Sequence, residues 1–384
     1  MLRKIVFHNF KSFVDETIID LTPGRIEYLS DSNIENGVLK GCAFYGANAS
    51  GKTGALMSVT LLLDLLFKNG VIINNTFFSL FTTEKKMSFE YTFSIDGHEV
   101  VYFFECDKNK GFTMEKLSQD GESLLDRTLT SAKSYITENQ DYQDIDPGSL
   151  FIRSIYFNTR FAGRPVLLKW FAFLKGSIFY DPLRTFNQMV SFDPKTAKDI
   201  YLESYLEANG TDEINDFLEE YNFPFAIDYT AVNKQNPIAG LTPFQMRLRV
   251  TRKDLEAVPF YLESAGNQIF LSFLPPYLSV LKTGGILAID EFSSGFHNDL
   301  EELLIRHFFR KAKGAQIIFV SHSTNLLKTS LLRPDQVYST DFNNRGSYLT
   351  KFSQYGMRES QNMEKMYLAG AFGGIPAYGS EPKE

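Results

Sequence analysis

Cysteine and tryptophan are almost missing from this sequence, which has two cysteines and one tryptophan among its 384 residues. Two cysteines, Cys42 and Cys106, cannot build a disulfide framework or a structural zinc cluster. A reducing compartment, the cytoplasm, is therefore the expected location. The aromatic content comes from 36 phenylalanines and 19 tyrosines, so we expect aromatic-rich cores.

Long apolar runs are missing as well. The most apolar segment, VLLKWFAFLKGSIFY, is interrupted by Lys169 and Lys175, well short of the roughly 20 apolar residues that a membrane-spanning helix needs. The first residues, MLRKIVFHNFKSF, lack the unbroken apolar core of a secretion signal. We therefore expect neither a membrane anchor nor a membrane partner. The aromatic-rich segment is expected to lie in a core, and docking of a partner protein is the alternative.

An excess of positive charge is the third absence. The formal net charge is −7, whereas binding along a nucleic-acid backbone needs clustered lysine and arginine. This balance argues against a dedicated nucleic-acid coat. A local basic surface is still compatible with an acidic chain, so contact with DNA or RNA stays open.

The clearest secondary-structure patterns lie toward the two ends of the chain. LKGCAFYG predicts a buried strand, and ALMSVTLLLDLLFKN predicts a helix that is buried on most sides. Further along, GILAIDE and AQIIFVSH predict buried strands, with the amphipathic helix HNDLEELLIRHFFRKA between them. Strands that alternate with helices imply an α/β fold whose sheet is largely parallel and covered by helices on both faces.

The region between these patterns divides the chain into three predicted parts. MSFEYTFSIDGHEVVYFFECD alternates around Asp-Gly, which predicts a hairpin in an antiparallel β subdomain. We predict residues 1–114 as the N-terminal part of an α/β head, 115–240 as a mostly helical insertion without heptads, and 241–384 as the C-terminal part. FLSFLPPYLSVLK predicts a helix interrupted at Pro275 and Pro276.

The segment GANASGKT, residues 46–53, fits the phosphate-loop pattern GxxxxGK[ST] and lies between the predicted strand and helix. Its glycines allow several backbone amides to point at phosphate oxygens, and the helix N-terminus adds its dipole. Lys52 would reach the β and γ phosphates, and the Thr53 hydroxyl would bind Mg²⁺. The predicted nucleotide contacts are Gly46, Asn48, Ala49, Ser50, Gly51, Lys52, Thr53 and Gly54. A chance match is the alternative.

Three further residues are candidates because each follows a predicted buried strand. Asp290 and Glu291 end GILAIDE, where Asp290 would hold Mg²⁺ through water and Glu291 would polarise the attacking water. His322 follows IIFVS and would contact the γ phosphate. The alternatives are that the two acids cap a helix and that the histidine is an ordinary turn residue.

The segment YLESAGNQ offers a second anion-binding cluster of backbone amides, because Ser264 and Gly266 stand at the start of a predicted helix. An equally good interpretation is a plain helix cap, with Ser264 and Gln268 in the first turn. The sequence alone does not separate the two.

These motifs together resemble a known group of ATPases. The order NFKSF, GANASGKT, ESAGNQ, ILAIDE, SSGFH and FVSHSTNLL is similar to an ABC-type ATPase head of the SMC and RecF kind. It is more similar to the AAA-labelled ATPases of bacterial abortive-infection and antiphage systems, including OLD-like, RloA/AbiL-type and PARIS (AriA) ATPases. The resemblance covers residues 1–110 and 240–376 and includes the closing MYLAGAFGGIPAYG.

The resemblance implies roles for residues whose patterns alone are ambiguous. Ser264, Ala265 and Gly266 would form the signature motif that completes the site of the opposite subunit. Residues 293–297 would form the loop that crosses the dimer interface, and Asn325 would accompany the switch histidine. Two departures, Ala265 in place of the usual glycine and Phe292-Ser293 in place of Leu-Asp, imply slow hydrolysis. Asn158 is the candidate for the residue that usually is a glutamine contacting Mg²⁺.

The resemblance also implies a biological role. The chain would be an ATP- and Mg²⁺-dependent ATPase that forms dimers or larger homo-oligomers in antiphage defence. It would sense a phage trigger protein and control a separate effector, such as a Toprim-type nuclease. A RecF- or SMC-like DNA-repair ATPase is the main alternative, and a transporter ATPase or a small-molecule kinase are further ones.

Overall fold

The computed structural model describes residues 1–137, 139–183, 189–193, 200–229 and 247–375. An antiparallel sheet contains eight strands: β1 (Leu2–His8), β2 (Thr17–Asp20), β6 (Lys86–Ile95), β7 (His98–Asp107), β8 (Gly111–Gln119), β9 (Glu122–Arg127), β10 (Ser131–Ser134) and β11 (Gln140–Gln143). Their order across the sheet is β11-β10-β9-β8-β7-β6-β1-β2, and every neighbouring pair is antiparallel.

A second sheet carries the motif residues. It contains β5 (Gly41–Gly46), β12 (Ile178–Tyr180), β13 (Met189–Ser191), β17 (Gly285–Ile289), β18 (Ala315–Val320), β19 (Val337–Asn343) and β20 (Gly346–Lys351). The order is β13-β12-β17-β18-β5-β19-β20. The five inner strands are parallel, and β13 and β20 pair antiparallel at the two edges.

The remaining strands form smaller units: β14 (Ala226–Tyr229), β15 (Leu248–Thr251) and β16 (Val258–Pro259) in one sheet, β3 (Ile34–Glu35) and β4 (Val38–Leu39) in a ribbon. The helices are α1 (Ser30–Asn33), α2 (Lys52–Phe67), α3 (Phe151–Asn158), α4 (Pro165–Lys175), α5 (Leu202–Asn209), α6 (Asp212–Glu220), α7 (Ala265–Thr283), α8 (Asn298–Lys311) and α9 (Met363–Leu368). None of the helices in the described ranges is both long and apolar enough to cross a bilayer.

The parallel sheet separates two hydrophobic cores. In β5, Cys42 and Phe44 belong to the core shared with α2, α4 and the antiparallel sheet. Ala43 and Tyr45 belong to the core on the opposite face, with α7 and α8. Every residue of β5, β17 and β18 is buried. Burial on both faces explains why these strands are continuous apolar runs in the sequence.

The aromatic-rich segment around Trp170 lies in a core, as predicted. It forms α4, where Trp170 is fully buried with its ring 5.7 Å from Phe93 and 6.0 Å from Tyr102 of the antiparallel sheet. The predicted Asp-Gly hairpin is also confirmed: β6 and β7 pair over their full length. Asp96 and Gly97 take φ values of 51° and 82°, as a type I′ turn requires.

The prediction that residues 115–240 are mostly helical was wrong for their first part. That part contains the end of β8 and all of β9, β10 and β11. The missed signal is a second Asp-Gly turn at Asp120 and Gly121, whose φ values are 50° and 82°. β12, in the middle of the same range, joins the parallel sheet. The division of the chain into a split head and an insertion stays a prediction.

The proline pair does not interrupt the helix that contains it. α7 runs from Ala265 to Thr283 with Pro275 and Pro276 inside it, and both rings are buried. Two prolines in a helix interior remove two backbone hydrogen bonds. Packing of the neighbouring residues against the sheet outweighs that loss, so the expected interruption is absent.

A buried carboxylate joins the antiparallel sheet to α3. Glu115 of β8 accepts hydrogen bonds from Arg127 Nη1 at 3.0 Å and from the Tyr102 hydroxyl at 2.8 Å. It also accepts the backbone N–H groups of Phe151 and Ile152, at 2.8 and 2.7 Å. The Glu115 and Arg127 side chains are both fully buried. The carboxylate therefore neutralises a buried guanidinium and satisfies the first amides of α3.

We expect Glu115→Ala to lower the free energy of unfolding by about 3–5 kcal/mol, because it leaves Arg127 as an unpaired buried charge. Equilibrium urea unfolding followed by circular dichroism measures the change. Glu122→Ala, at an exposed position of β9, is the matched control and should change stability by less than about 0.5 kcal/mol. Equal stability of the two variants would contradict the structural role of Glu115.

Candidate functional site

The predicted site residues follow three neighbouring parallel strands. β5 leads into the glycine loop, residues 46–53, and β17 is followed by Asp290 and Glu291. β18 lies between those two strands and is followed, two residues on, by His322. The carboxyl ends of parallel strands meet at one edge of the sheet, where open α/β sheets bind their ligands. The structure therefore brings these residues to the same crevice.

The loop wraps around the ammonium group of Lys52. The Lys52 side chain is 6 % exposed, and Nζ donates to the backbone carbonyls of Gly46 at 3.0 Å and Ala47 at 2.8 Å. Ala49 and Gly51 have φ values of 63° and 114°, which turn the backbone sharply before α2 begins. A cation held inside a loop at the N-terminus of a 16-residue helix is an arrangement suited to phosphate.

Two hydroxyl groups from outside the loop support its glycines. A Cβ atom on Gly51 would lie 2.5 Å from Ser347 Oγ, and that hydroxyl donates to the backbone carbonyl of Ser50 at 2.6 Å. Thr340 Oγ1 lies 2.5 Å from Ser50 Oγ, and a Cβ atom on Gly46 would meet it at 2.3 Å. The space available at both positions therefore admits only glycine.

The predicted metal-binding pair is adjacent across the crevice. Thr53 Oγ1 lies 3.4 Å from Asp290 Oδ1, and Asp290 is 4 % exposed. Its backbone N–H donates to the carbonyl of Tyr180 at 2.9 Å, which fixes the end of β17 against β12. In the described ranges no three His, Cys, Asp or Glu side chains are grouped to hold a metal. A cation here would take most of its ligands from phosphate and water, as Mg²⁺ commonly does.

Glu291 and His322 face each other beside this pair. Glu291 Oε1 lies 3.6 Å from His322 Nε2. Burial lowers the pKa of His322, and the positive charge of Lys52 lowers it further, against the opposing effect of Glu291. Burial also lowers the pKa of Lys52, and both carboxylates oppose that shift. The imidazole is therefore neutral near pH 7, with one nitrogen able to donate and the other able to accept.

Glu291 has an unusual backbone conformation. Its φ is 51°, in the left-handed region that residues other than glycine rarely adopt. The turn is closed by the Ser294 N–H, which donates to the Glu291 carbonyl, and by the Phe292 N–H, which donates to Val320, both at 2.9 Å. Such conformations cost about 1–3 kcal/mol and persist where the surrounding structure enforces them, often at functional sites.

The second candidate cluster, at the start of α7, lies apart from the phosphate loop. Ser264 caps the helix, accepting the backbone N–H of Asn267 at 3.2 Å, so the predicted cap is confirmed. Ser264 and Ala265 are exposed, and Arg252 fixes the preceding Glu263 through two bonds of 2.7 and 2.9 Å. Among the described residues, no hydrogen bond connects Ser264 or Gly266 with the loop.

Asn158 lies away from the crevice. It ends α3, where its side chain donates to the Ser154 carbonyl at 2.8 Å. α3 packs on the C-terminal end of α2, because Arg153 Nη1 donates to Leu65 and Leu66 there. That end is about 20 Å from Lys52 at a rise of roughly 1.5 Å per residue. The candidate assignment of Asn158 to a Mg²⁺ contact is therefore wrong.

Other residues at the crevice have no counterpart among the predicted ones. Asp181 follows β12, beside β17, and is 4 % exposed. Its Oδ1 accepts the Leu183 N–H at 3.0 Å. The strand-ending pattern IFYDP was the available signal. Thr340 and Ser347 were missed as supports of the loop, because a hydroxyl that packs on a distant glycine leaves no local pattern.

Residues 42–328 match the AAA_21 family, described as "AAA domain, putative AbiEii toxin, Type IV TA system". This range is well over half of the chain and includes the glycine loop, Asp290, Glu291 and His322. No curated protein matches the sequence.

Solved structures of SMC heads align with this chain. An SMC head domain from Thermotoga maritima aligns with a TM-score of 0.49 and 14 % identity, covering 91 % of this chain and 98 % of that one. An Smc head bound to the C-winged helix domain of ScpA aligns with a TM-score of 0.50 and 13 % identity, covering 91 % of this chain and 96 % of that one. An Smc head with an extended coiled coil, bound to the C-terminal domain of ScpA derived from Pyrococcus furiosus, aligns with a TM-score of 0.46 and 12 % identity. The alignment covers 91 % of this chain and 95 % of that one. The fold assignment rests on the Smc head with a TM-score of 0.50. It confirms the predicted P-loop NTPase head with a mixed sheet and an antiparallel subdomain.

Proposed function

The chain belongs to the AAA_21 family and has the fold of an ABC-type ATPase head, and from that premise we propose that it binds and slowly hydrolyses ATP with Mg²⁺. The observation that carries the proposal is the convergence of Lys52, Thr53, Asp290, Glu291 and His322 on one sheet edge. Loop and side chains fit a triphosphate, because the loop lies at the N-terminus of α2, where free backbone amides favour an anion, and Lys52 supplies a compact positive charge.

Each residue has a distinct role in the proposed reaction. Lys52 exchanges its two carbonyl partners for β and γ phosphate oxygens, and the amides of residues 48–54 surround the same groups. Thr53 and Asp290 would hold Mg²⁺, which when bound neutralises charge on the phosphates. Glu291 orients the attacking water and accepts its proton. His322 would donate the single N–H of its neutral ring to the γ phosphate.

The exposed start of α7 motivates the second part of the proposal, an ATP-dependent dimer. Ser264 and Gly266 make no hydrogen bond to the loop of their own chain, yet they head a 19-residue helix whose N-terminus favours an anion. We assign them to the γ phosphate bound by a second copy. ATP then acts as an interface ligand, and its hydrolysis opens the dimer. Two composite sites would form per dimer, as two-fold symmetry requires.

For biological role, we propose antiphage defence in the cytoplasm. The family description, "putative AbiEii toxin, Type IV TA system", supports this assignment. In the described residues no three His, Cys, Asp or Glu side chains are grouped to hold a metal, as the centre of a metal-dependent nuclease would. We therefore assign the effector to a separate protein, such as a Toprim-type nuclease, with a phage protein as trigger. The oligomer would restrain or release that effector according to its nucleotide state.

The test is steady-state phosphate release by the purified protein. We expect a slow, Mg²⁺-dependent activity, at or below about 1 s⁻¹, the low end for enzymes. EDTA should abolish it because the phosphate charge then lacks its counterion. No release of phosphate from ATP under any of these conditions would contradict the proposal. A DNA-repair ATPase would instead show hydrolysis stimulated by added duplex DNA, and we expect no stimulation.

A further inference from the structure

The loop after Glu291 contains a serine with unusually specific contacts. Ser293 Oγ lies 2.9 Å from Ser321 Oγ and accepts the backbone N–H of His322 at 3.1 Å. Ser321 is fully buried and its hydroxyl also accepts the Ser323 N–H at 2.9 Å. One hydroxyl group therefore fastens the loop that follows Glu291 to the backbone that carries His322.

The same loop packs against the first turn of α7. A Cβ atom on Gly295, whose φ is 105°, would lie 2.6 Å from Ile269 Cδ1, and one on Gly266 would lie 3.3 Å from the Gly295 carbonyl oxygen. The Phe296 ring lies 5.5 Å from that of Phe273, also on α7. The loop after Glu291 is therefore closely packed against α7, and a shift of the start of α7 must displace the loop.

Between these contacts the loop is anchored in the core. Phe292 is fully buried, with its ring 5.2 Å from Phe319 of β18 and 6.3 Å from Phe273. Phe292 therefore contacts both α7 and β18, the two elements that the loop also contacts through Gly295 and Ser293. A rigid body that touches both elements transmits displacement from one to the other, since packed interiors deform little.

We propose that Ser293 is a positioning residue that couples the start of α7 to the Glu291–His322 pair. Contact of a second copy with Ser264 and Gly266 moves the loop, and the Ser293 hydroxyl passes that movement to the backbone of His322. Each subunit would then hydrolyse its own nucleotide faster when its α7 is engaged. This inference rests on the proposed ATPase function and adds a regulatory connection to it.

Serine is the residue that this position requires for such a role. Its hydroxyl both accepts from a backbone N–H and shares a hydrogen bond with Ser321. An aspartate, which the resembling ATPases often have here, would place a second carboxylate beside Glu291. The departure noted in the sequence thus has a structural reason in this chain.

The experiment compares Ser293→Ala with Ser293→Thr in the full chain, measuring kcat and KM for ATP and the mass of the species formed with ATP. We expect Ser293→Ala to lower kcat about tenfold, as expected for loss of catalytic alignment, with KM and dimer formation within about twofold of the parent. Ser293→Thr keeps the hydroxyl and should restore most of kcat. Ser279→Ala removes a hydroxyl elsewhere on α7 and serves as control.

A double-mutant cycle with Ser321→Ala separates coupling from general destabilisation. If the two hydroxyls act as one link, the double variant is no slower than the slower single variant. Parental kcat in Ser293→Ala, or an equal loss in Ser293→Thr, would overturn the inference, as would fully additive losses in the cycle. An inactive parent would overturn the proposed ATPase function instead, so the two failures are distinguishable.

Discussion

Lys52→Ala should abolish ATP binding, with a loss of affinity of at least about a hundredfold, or roughly 3 kcal/mol. Lys52 supplies a nearly buried positive charge inside the glycine loop, 2.8–3.0 Å from its carbonyl partners. Charge-assisted contacts to phosphate are among the strongest hydrogen bonds in proteins, and alanine offers no replacement. Isothermal titration calorimetry with ATP and Mg²⁺ measures the affinity, and circular dichroism confirms that the variant is folded.

Lys68→Ala is the matched control for this prediction. Lys68 follows the last residue of the same helix, α2, and its half-exposed ammonium pairs with Asp64. Lys68→Ala removes one positive charge, as Lys52→Ala does, but leaves the glycine loop unchanged. We expect parental ATP affinity for Lys68→Ala. Parental affinity for Lys52→Ala as well would contradict the assignment of residues 46–53 to phosphate.

Glu291→Gln should bind ATP normally and hydrolyse it about 10²- to 10³-fold more slowly, a loss in the range that general-base catalysis contributes. The amide keeps the size and hydrogen-bonding reach of Glu291 but cannot accept a proton. Because hydrolysis opens the proposed dimer, the variant should also accumulate as closed dimers in ATP. Phosphate release measures the first effect, and light scattering after size-exclusion chromatography measures the second.

A carboxylate outside the crevice provides the comparison for this variant. Glu302 of α8 is paired with Arg306 and Lys328, and Glu302→Gln should hydrolyse ATP at the parental rate. Turnover of Glu291→Gln at the parental rate would show that another group accepts the proton. The nearly buried Asp181, at the end of the neighbouring strand β12, would then be the first residue to examine.

The predictions that succeeded depend on local patterns. The glycine loop, the buried strand before it and the helix after it lie in one continuous segment, so their relation is readable directly. Asp290 and His322 could be placed because each ends a buried strand, and parallel strands bring their carboxyl ends together. The continuous apolar runs of β5, β17 and β18 identified a sheet covered on both faces.

The features that were missed depend on contacts between distant segments or on weak patterns. β9 to β11 carry many polar residues, which makes their strand pattern weak, and they were included in a range predicted to be mostly helical. The Asp120-Gly121 turn was overlooked. Thr340 and Ser347 support the loop from almost 300 residues away, and no local pattern records such packing. Asn158 was considered for its residue type, although its helix packs on the far end of α2.

The proposed role of the α7 start depends on a second copy of the chain. Ser264 caps its own helix and is exposed. It can therefore serve as a helix cap and also contact a nucleotide held by a second copy. The coupling through Ser293 gives this exposed turn a connection to the catalytic pair. Both ideas require that a second copy lends Ser264 and Gly266 to the nucleotide held by Lys52.

Mixing two inactive variants measures this requirement directly. Lys52→Ala keeps an intact α7 start but cannot hold ATP, and Ser264→Arg keeps an intact loop but blocks its partner's site. If subunits share sites, half of the dimers in an equal mixture are mixed and each has one intact site of two, so up to about a quarter of parental ATPase activity returns. Activity no greater than the sum of the separate variants would contradict a site completed by a second copy.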